Sequence, residues 1–285
     1  MIYFIQCVAN ICILQNISNI RMISMFSDKD GLFMKIISIA NQKGGVSKST
    51  TAQVIAEVFN GNRKKTLMID LDPQGNLSFA VGANLENTPT IYNVMKGELK
   101  AEDILQATPS GDILPANILL SGADMEFIST GREYLLKESI SDIRHGYEYI
   151  IIDCPPALSI LTVNALTASD FVVIPSLADV FSMQGLSQLN ATVQSVKKFC
   201  NPALKIAGIL LTKFTQRNII SGQIKHTLDT IAGQMNTGLF NACIRSSIAL
   251  QEGQLQQKNL LIYASSSNAI IDYIDFISEL EERVK

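Results

Sequence analysis

Short apolar runs alternate with longer stretches of helical pattern from Met34 to the end of the chain. Near-continuous apolar runs rich in β-branched residues are typical of strands in a parallel sheet that is covered on both faces. These runs predict strands at Lys35–Ala40, Thr66–Asp70, Tyr149–Asp153, Phe171–Pro175 and Ile206–Thr212, with shorter strands at Asp112–Leu114 and Phe240–Ile244.

The segments between the runs have the spacing of amphipathic helices. They predict helices at Ser49–Asn60, Thr130–His145, Leu161–Ala168, Gln184–Phe199, Asn218–Met235 and Ser266–Arg283. Alternating strands and helices predict an α/β fold, a doubly wound, mainly parallel sheet with helices on both faces. Ligands of such folds bind at the carboxyl ends of the strands. We therefore expect the loops after Ala40, Asp70 and Asp153 to carry the functional site.

Residues 1–33 differ in composition from the rest of the chain. Met1–Ile20 is apolar and uncharged but is interrupted by amide side chains, which weakens the case for a membrane span. A signal peptide would need a basic start and a small-residue cleavage site, and neither is present. We expect one domain over residues 34–285. Residues 1–33 are then an amino-terminal extension, either an accessory tail or a segment ahead of a natural start at Met34.

Composition narrows the class of protein. The formal charge is −3, so any binding to nucleic acid must depend on a local basic patch. Five cysteines occur without a CxxC pair, which favours a reduced, cytosolic protein. Two histidines leave little material for a histidine-based metal site or catalytic triad.

The segment NQKGGVSKST, residues 41–50, joins the first strand to the first helix. Its glycines let the backbone N–H groups turn inward, and the start of the following helix adds its dipole, which together make an anion site. Lys48 would bring a charge to the β- and γ-phosphates of a nucleotide, and the Ser49 hydroxyl would bind Mg²⁺. The predicted phosphate site consists of Gly44, Gly45, Val46, Ser47, Lys48, Ser49 and Thr50.

Two further loops are acidic. DLDPQGN at residues 70–76 places two carboxylates one residue apart at the mouth of the site, where they can orient water and influence Mg²⁺. DCPP at residues 153–156 follows a buried strand. A carboxylate in the position of Asp153 is the Walker B arrangement, which holds Mg²⁺ directly or through water.

These three segments together resemble one family. The ordinary pattern GxxxxGK[ST] does not match, because Gln42 and Ser47 occupy its glycine positions. The loop is similar, at all but one position, to KGGxGK[ST], the deviant Walker A motif of the ParA/MinD P-loop ATPases. DLDPQGN resembles switch I of that family and DCPP resembles its switch II. The resemblance implies a P-loop NTPase fold and hydrolysis of ATP with Mg²⁺, slow without a stimulating partner.

The resemblance also implies residue roles. Lys43 would reach across a dimer interface to the partner's nucleotide and, with Lys48, would stabilise charge on the γ-phosphate. Asp72 would position the attacking water, and Asp70 would be a structural or metal-shell carboxylate. Ser49 and Asp153 would hold Mg²⁺.

Nearly all of residues 34–285 resembles the ParA branch, for example DILPAN at residues 112–117 and CIRSS at residues 243–247. This implies a cytoplasmic, nucleoid-associated homodimer in the ATP state that segregates or positions plasmid or chromosomal DNA with a ParB-like centromere-binding partner. Arg217 and Arg245 would contact DNA, with Lys225 and Lys258 as additions. Contacts of this kind go to phosphate and are salt-dependent. MinD-type relatives end in a basic membrane helix, whereas this chain ends in an acidic one, so no stable membrane association is expected.

Ser47 is the departure from the family motif, which has glycine there. A serine at a positive φ costs backbone strain and can crowd the phosphates. The substitution is either tolerated or leaves a degenerate, non-hydrolysing regulatory or scaffold protein. Retention of Lys43, Lys48, Asp72 and Asp153 favours a working ATPase.

Overall fold

The computed structural model describes residues 34–215 and 219–285. The predictions made for the amino-terminal extension and for Arg217 lie outside these residues.

The described residues form one eight-stranded sheet with the order β3-β4-β2-β5-β1-β6-β7-β8. Only the edge pair β3–β4 is antiparallel, and the other neighbouring strands run parallel. The predicted doubly wound, mainly parallel sheet is confirmed. The strands are β1 Lys35–Ile39, β2 Thr66–Asp70, β3 Gln106–Thr108, β4 Gly111–Leu114, β5 Tyr149–Asp153, β6 Phe171–Ser176, β7 Lys205–Leu211 and β8 Leu239–Cys243.

Helices cover both faces of the sheet. They are α1 Lys48–Gly61, α2 Asn76–Ala80, α3 Ile91–Met95, α4 Ala123–Glu126, α5 Leu135–Ser139, α6 Ile160–Ala168, α7 Val180–Phe199, α8 Ile219–Gln234, α9 Ile248–Leu255, α10 Leu260–Tyr263 and α11 Asn268–Arg283. Short 3₁₀ helices occupy Ala101–Ile104, Ile118–Gly122, Arg132–Tyr134 and Arg144–Gly146. None of the described helices is long and apolar enough to span a membrane.

Two apolar cores lie on opposite faces of the sheet. One contains buried side chains of α1 and α11, such as Phe59 and Phe276. The other contains side chains of α6 and α7, such as Leu166 and Leu189. Because both faces of the central strands are covered, those strands are apolar along nearly their whole length, as the sequence pattern predicts.

The prediction of a single helix over Thr130–His145 is wrong. The structure has a 3₁₀ turn, the five residues of α5 and a second 3₁₀ turn over this range. Gly131 has a φ of 85°, which no helix interior adopts. Leu136 and Ile140 are the fully buried apolar side chains here, so the core supports little more than one helical turn.

The sheet brings the predicted site together at the carboxyl ends of its central strands. In the register of the sheet, Asp153 lies beside Ile39 on one neighbouring strand and beside Asp70 on the other. The loops that follow β1, β2 and β5 therefore leave the sheet side by side, with the phosphate loop on β1 next to the two acidic loops.

Candidate functional site

The loop of residues 41–47 is held at its ends and left open in the middle. The Asn41 amide donates to the Pro175 carbonyl at 2.7 Å, and the Asn41 side-chain oxygen accepts from the Lys43 N–H at 3.0 Å. Val46 is fully buried, and its carbonyl accepts from the Thr212 hydroxyl at 3.1 Å. The backbone between these anchors turns through positive φ and delivers the chain to the first turn of α1.

Ser47 is one of the residues with a positive φ. It precedes α1 with φ 64° and ψ 32°, the left-handed region, and its side chain forms no capping hydrogen bond. The loop therefore requires at this position the conformation for which glycine is best suited. Ser47 thus has the positive φ at which a serine is expected to be strained.

Lys48 is the first residue of α1 and is only 7% exposed. Its ammonium donates to the Lys43 carbonyl at 3.2 Å. Burial lowers the pKa of Lys48, while the charges of Asp153 and Asp72 oppose that shift. An anion placed beside this ammonium would favour its charged form.

Asp153 is fully buried, and within the described residues neither of its carboxylate oxygens has a hydrogen-bond partner. Burial, followed by the charge of Asp70, raises the pKa of Asp153 well above its usual range. The nearby Ser49 hydroxyl, although outside hydrogen-bond distance, and then the Lys48 charge offset part of the shift. A buried carboxylate without a partner is costly, so these oxygens fit a bound cation.

The donor set suits Mg²⁺ in particular. The described residues contain no group of three or more histidine, cysteine, aspartate or glutamate side chains placed to hold a metal. Mg²⁺ keeps several waters and is commonly bound through one or two carboxylates plus substrate phosphates. Asp153 and the Ser49 hydroxyl can supply the protein's share of such a shell.

Asp70 and Asp72 have different surroundings. The fully buried Asp70 carboxylate accepts from the Ser78 N–H at 2.8 Å, the Ser78 hydroxyl at 2.7 Å and the Asp72 N–H at 3.0 Å. Burial raises the pKa of Asp70 to about 6 despite these bonds. The Asp72 carboxylate accepts one hydrogen bond from the Gln74 N–H at 3.0 Å and lines a cavity above the phosphate loop, described below. The Asp70 carboxylate is thus hydrogen-bonded within the fold, whereas Asp72 faces the cavity.

Lys43 is held by its own chain. Its ammonium pairs with the carboxylate of Asp179, which also caps α7 by accepting from the Ser182 N–H at 2.8 Å. Burial acts to raise the pKa of Asp179, but the hydrogen bonds from Lys43 and Ser182 outweigh it and hold that pKa below its usual value. Sequence reasoning missed Asp179. The available signal was an aspartate followed three residues later by serine at the start of a helix.

A cavity of about 510 Å³ opens above the phosphate loop, within the size range of small-molecule sites. It brings together most of the predicted residues: Gly44, Gly45, Ser47, Lys48, Ser49, Thr50 and Asp72. Val46 and Asp153 lie buried outside its lining, and the side chain of Lys43 is directed to Asp179.

The cavity also has a wall that sequence reasoning missed. It includes Lys213 after β7, Gln251 and Gln254 on α9, and Tyr273 on α11. Gln254 accepts from the Thr50 hydroxyl at 3.2 Å. These partners lie about two hundred residues apart in the chain, so no local pattern could have paired them.

Arg245 lines the same cavity and lies two residues beyond the end of β8. Its guanidinium makes a bidentate pair with Asp272, at 2.9 Å from Nε and 2.7 Å from Nη2. Of the additional basic residues, the Lys225 ammonium lies 3.9 Å from the Cys243 sulfur. The contact of these residues with DNA stays a prediction.

Comparison with known proteins identifies the family. A family model described as an AAA domain matches residues 34–206. The chain is 36% identical over 252 residues to the sporulation initiation inhibitor protein Soj of Bacillus subtilis, covering 86% of this chain and 98% of that one. It is also 36% identical over 253 residues to the chromosome partitioning protein ParA of Myxococcus xanthus, covering 87% and 88%.

A solved structure has a similar fold. Cobyrinic acid a,c-diamide synthase from Mycobacterium smegmatis, with bound ATP analog and magnesium, has a TM-score of 0.77 and 30% identity, covering 88% of this chain and 96% of that one. Together with the phosphate loop, the acidic loops and the sheet order, these matches show that the chain belongs to the ParA-type family of partitioning P-loop ATPases.

Proposed function

We propose that the protein binds Mg·ATP in the cavity above the phosphate loop. The observation that carries this proposal is the buried carboxylate of Asp153, which has no hydrogen-bond partner among the described residues. This carboxylate interacts electrostatically with the Lys48 ammonium. Opposite charges beside a helix start and a turn of open N–H groups provide sites for a polyphosphate and its cation. The similar synthase structure, with its bound ATP analog and magnesium, supports the same ligands.

The bound nucleotide is hydrolysed to ADP and phosphate. Lys48 neutralises charge on the terminal phosphates, and the N–H groups of the loop hold their position. Asp72 accepts a hydrogen bond from the attacking water and orients it toward the γ-phosphate, because it is the carboxylate that faces the cavity. Mg²⁺, held by Ser49 and Asp153, supplies electrostatic stabilisation when it is bound. The expected turnover is slow without a stimulating partner.

ATP binding joins two copies of the chain. The family resemblance assigns Lys43 to contact the nucleotide bound by the partner copy. In the single chain Lys43 is paired with Asp179, so the proposed contact requires this ion pair to open. Dimerisation is then coupled to the release of Lys43 from Asp179.

The ATP-bound dimer binds DNA non-specifically, and hydrolysis releases it. Relatives named for chromosome partitioning support a role in segregating or positioning plasmid or chromosomal DNA. The proposed location is the cytoplasm, at the nucleoid. A ParB-like centromere-binding protein is the proposed stimulator. The resemblance assigns Arg217 and Arg245 to DNA contact. In the single chain the guanidinium of Arg245 is paired with Asp272, so its contact with DNA would compete with this ion pair.

The conformation of Ser47 favours one alternative. A serine at φ 64° in the phosphate loop adds strain and side-chain volume where nucleotide must approach closely. A protein impaired in this way would keep the fold but not turn over ATP, and would act as a regulatory or scaffold module.

One experiment separates the two functions. ATP binding and hydrolysis are measured on the full chain with non-specific DNA, beside a Ser47→Gly variant and an Asp153→Ala variant. Turnover by the parent that is lost in Asp153→Ala supports the ATPase. An inactive parent together with an active Ser47→Gly variant identifies the degenerate relative. If neither parent nor Ser47→Gly binds Mg·ATP, the proposed function is wrong.

A further inference from the structure

We propose that Glu57 is a positioning residue of the nucleotide site, which acts on the Thr50 hydroxyl through the side chains of Gln53 and Gln254. Its carboxylate sets the direction of a relay of hydrogen bonds, and that direction keeps the Thr50 proton away from a bound polyphosphate. This inference rests on the proposed binding of Mg·ATP and adds a residue that weakens it from a distance.

The relay consists of three hydrogen bonds that lead from the cavity into the interior. The Thr50 hydroxyl donates to the Gln254 side-chain oxygen at 3.2 Å, and the Gln254 NH₂ group donates to the Gln53 side-chain oxygen at 3.1 Å. The Gln53 NH₂ group donates to the Glu57 carboxylate at 3.0 Å. Thr50 and Gln254 line the cavity, whereas Gln53 and Glu57 are buried on α1.

The Glu57 carboxylate is surrounded by donors. Besides the bond from Gln53, it accepts from the Ser110 hydroxyl at 2.6 Å and from the backbone N–H groups of Leu260 and Leu261 at 2.8 and 3.2 Å. An ionised carboxylate can only accept hydrogen bonds. The Gln53 amide must therefore turn its NH₂ group toward Glu57 and its oxygen away.

Each amide passes this direction to the next group. The Gln53 NH₂ group also lies 3.4 Å from the Lys258 carbonyl, a second acceptor, so the Gln53 oxygen is left to accept from Gln254. Gln254 then turns its own oxygen toward Thr50. A hydroxyl group has a single proton, so Thr50 donates it to Gln254 and presents only lone pairs to the cavity.

This direction opposes the ligand that the site is proposed to bind. Phosphate oxygens are acceptors, and Thr50 lies in the first turn of α1, two residues after Lys48. A hydrogen bond from Thr50 to a phosphate requires the bond between Thr50 and Gln254 to open. Gln254 cannot donate to Thr50 instead, because its NH₂ group is bonded to Gln53. The relay thus withholds one hydrogen bond from the nucleotide.

Replacing Glu57 by glutamine should reverse the relay. The two backbone N–H groups at the start of α10 remain donors, so the new side chain must turn its oxygen toward them and its NH₂ group toward Gln53. Gln53 then turns its oxygen toward position 57, and Gln254 turns its NH₂ group toward Thr50. The Thr50 proton becomes free for a phosphate, while the bonds between the side chains of the relay are kept.

The test is a double-mutant cycle on nucleotide affinity. Calorimetric titrations with a non-hydrolysable ATP analogue and Mg²⁺ are made on the full-length protein at about pH 8, well above the ordinary pKa of a carboxyl group. The variants are Glu57→Gln, Thr50→Val and their combination. Glu252→Gln is the matched control, because Glu252 is exposed on α9, two residues before Gln254, and loses the same charge outside the relay.

We expect Glu57→Gln to tighten nucleotide binding about fivefold, the effect of one neutral hydrogen bond. Glu252→Gln should leave the affinity nearly unchanged. In the Thr50→Val background Glu57→Gln should give no gain, because no hydroxyl proton remains to be released. Unchanged or weaker binding in Glu57→Gln, or a gain that persists without the Thr50 hydroxyl, would overturn the inference.

Side-chain NMR signals report the direction of the relay without nucleotide. The NH₂ resonances of Gln53 and Gln254 should both move in Glu57→Gln and stay nearly in place in Glu252→Gln. A Gln254 resonance that does not move in Glu57→Gln refutes the relay, whether or not ATP binds. If the parent and Ser47→Gly both fail to bind Mg·ATP, the proposed function is wrong, and the resonances still decide whether the relay exists.

Discussion

The ammonium of Lys43 is paired with the carboxylate of Asp179, which lies 136 residues further along the chain and also caps helix α7. The pair joins the phosphate loop to the helix that follows β6. It holds within one chain the lysine that the proposed function assigns to the partner's nucleotide. Under the proposed function, the strength of this pair would set part of the free energy of dimerisation.

Replacing Asp179 by asparagine should promote ATP-dependent dimerisation. Asparagine can still cap α7, but it does not hold the Lys43 charge. Both side chains are partly exposed, and each such pair contributes at most about 1 kcal/mol. Two copies of the pair open when two chains join, so we expect a gain of at most about thirtyfold in dimer affinity. Sedimentation with a non-hydrolysable ATP analogue measures it. Ser182→Ala is the control, since Ser182 contacts the same carboxylate without taking part in the ion pair. Weaker dimerisation in Asp179→Asn would show that Asp179 acts in the dimer instead.

Replacing Ser47 by glycine should stabilise the protein without nucleotide. A left-handed conformation costs a side-chain-bearing residue about 1–2 kcal/mol, and the greater freedom of glycine in the unfolded chain removes about half of that gain. The expected increase in the free energy of unfolding is about 0.5–1 kcal/mol in urea titrations. Ser47→Ala keeps a Cβ at the same φ and should show no gain. If alanine stabilises as much as glycine, backbone strain at Ser47 is not the cause.

Glu57 should make the stability of the protein depend on pH. Burial raises the pKa of Glu57, although it accepts bonds from the Ser110 hydroxyl at 2.6 Å and the Leu260 N–H at 2.8 Å. The folded state then binds more protons than the unfolded state above the ordinary value of 4.5, so stability falls as pH rises through this window and is regained on acidification toward 4.5.

The comparison is between the parent and Glu57→Gln, which cannot titrate at this position. Urea unfolding at several pH values between about 4.5 and 7 should show a steeper loss of stability with rising pH in the parent than in the variant. Parallel profiles would mean that Glu57 ionises in the folded protein as it does in the unfolded chain.

Replacing Gly208 by alanine should destabilise the sheet. A Cβ at Gly208 would lie 2.6 Å from Phe240 Cε2 and would also meet the Arg283 guanidinium. That guanidinium donates to the carbonyls of Ala207 and Leu239, so it is not free to move away. Overpacking of this kind costs about 1–3 kcal/mol in the free energy of unfolding.

A second glycine provides the control for this substitution. Gly233 lies in helix α8, and a Cβ there would have no neighbour within 4 Å. Gly233→Ala should therefore stabilise the protein by about 0.5–1 kcal/mol, the difference in helix propensity. Equal effects of the two substitutions would contradict the proposed steric cause at Gly208.

The sequence pattern predicts the central strands well because burial on both faces imposes a continuous apolar run. The strands Thr66–Asp70 and Tyr149–Asp153 occur with the predicted bounds. The edge strand Gln106–Thr108 and the short helix Asn76–Ala80 were not predicted. Three to five residues are too few to show a period, and hydrogen bonds to neighbouring elements decide their conformation.

The site residues could be predicted where they lie together in one contiguous loop. The phosphate loop and the acidic loops are contiguous motifs, so their positions in the sheet follow from the strands that precede them. Asp179 and Asp272 lie on elements far along the chain from the phosphate loop, so no local motif predicts them. From the sequence alone, their partners Lys43 and Arg245 are expected to contact solvent or another molecule. Only the folded chain shows that each has an acidic partner of its own.

The bonds of Asp70 restrict where the protein can respond to a nucleotide. Ser78, which donates to Asp70, also accepts from the Ala116 N–H at 3.0 Å, so the loops after β2 and β4 share one buried junction. A shift of the Asp72 backbone would break bonds that water cannot replace. This half of the site is held rigidly. We therefore expect movement on nucleotide binding to occur on the other side of β1, where the partly exposed Lys43–Asp179 ion pair joins the phosphate loop to α7.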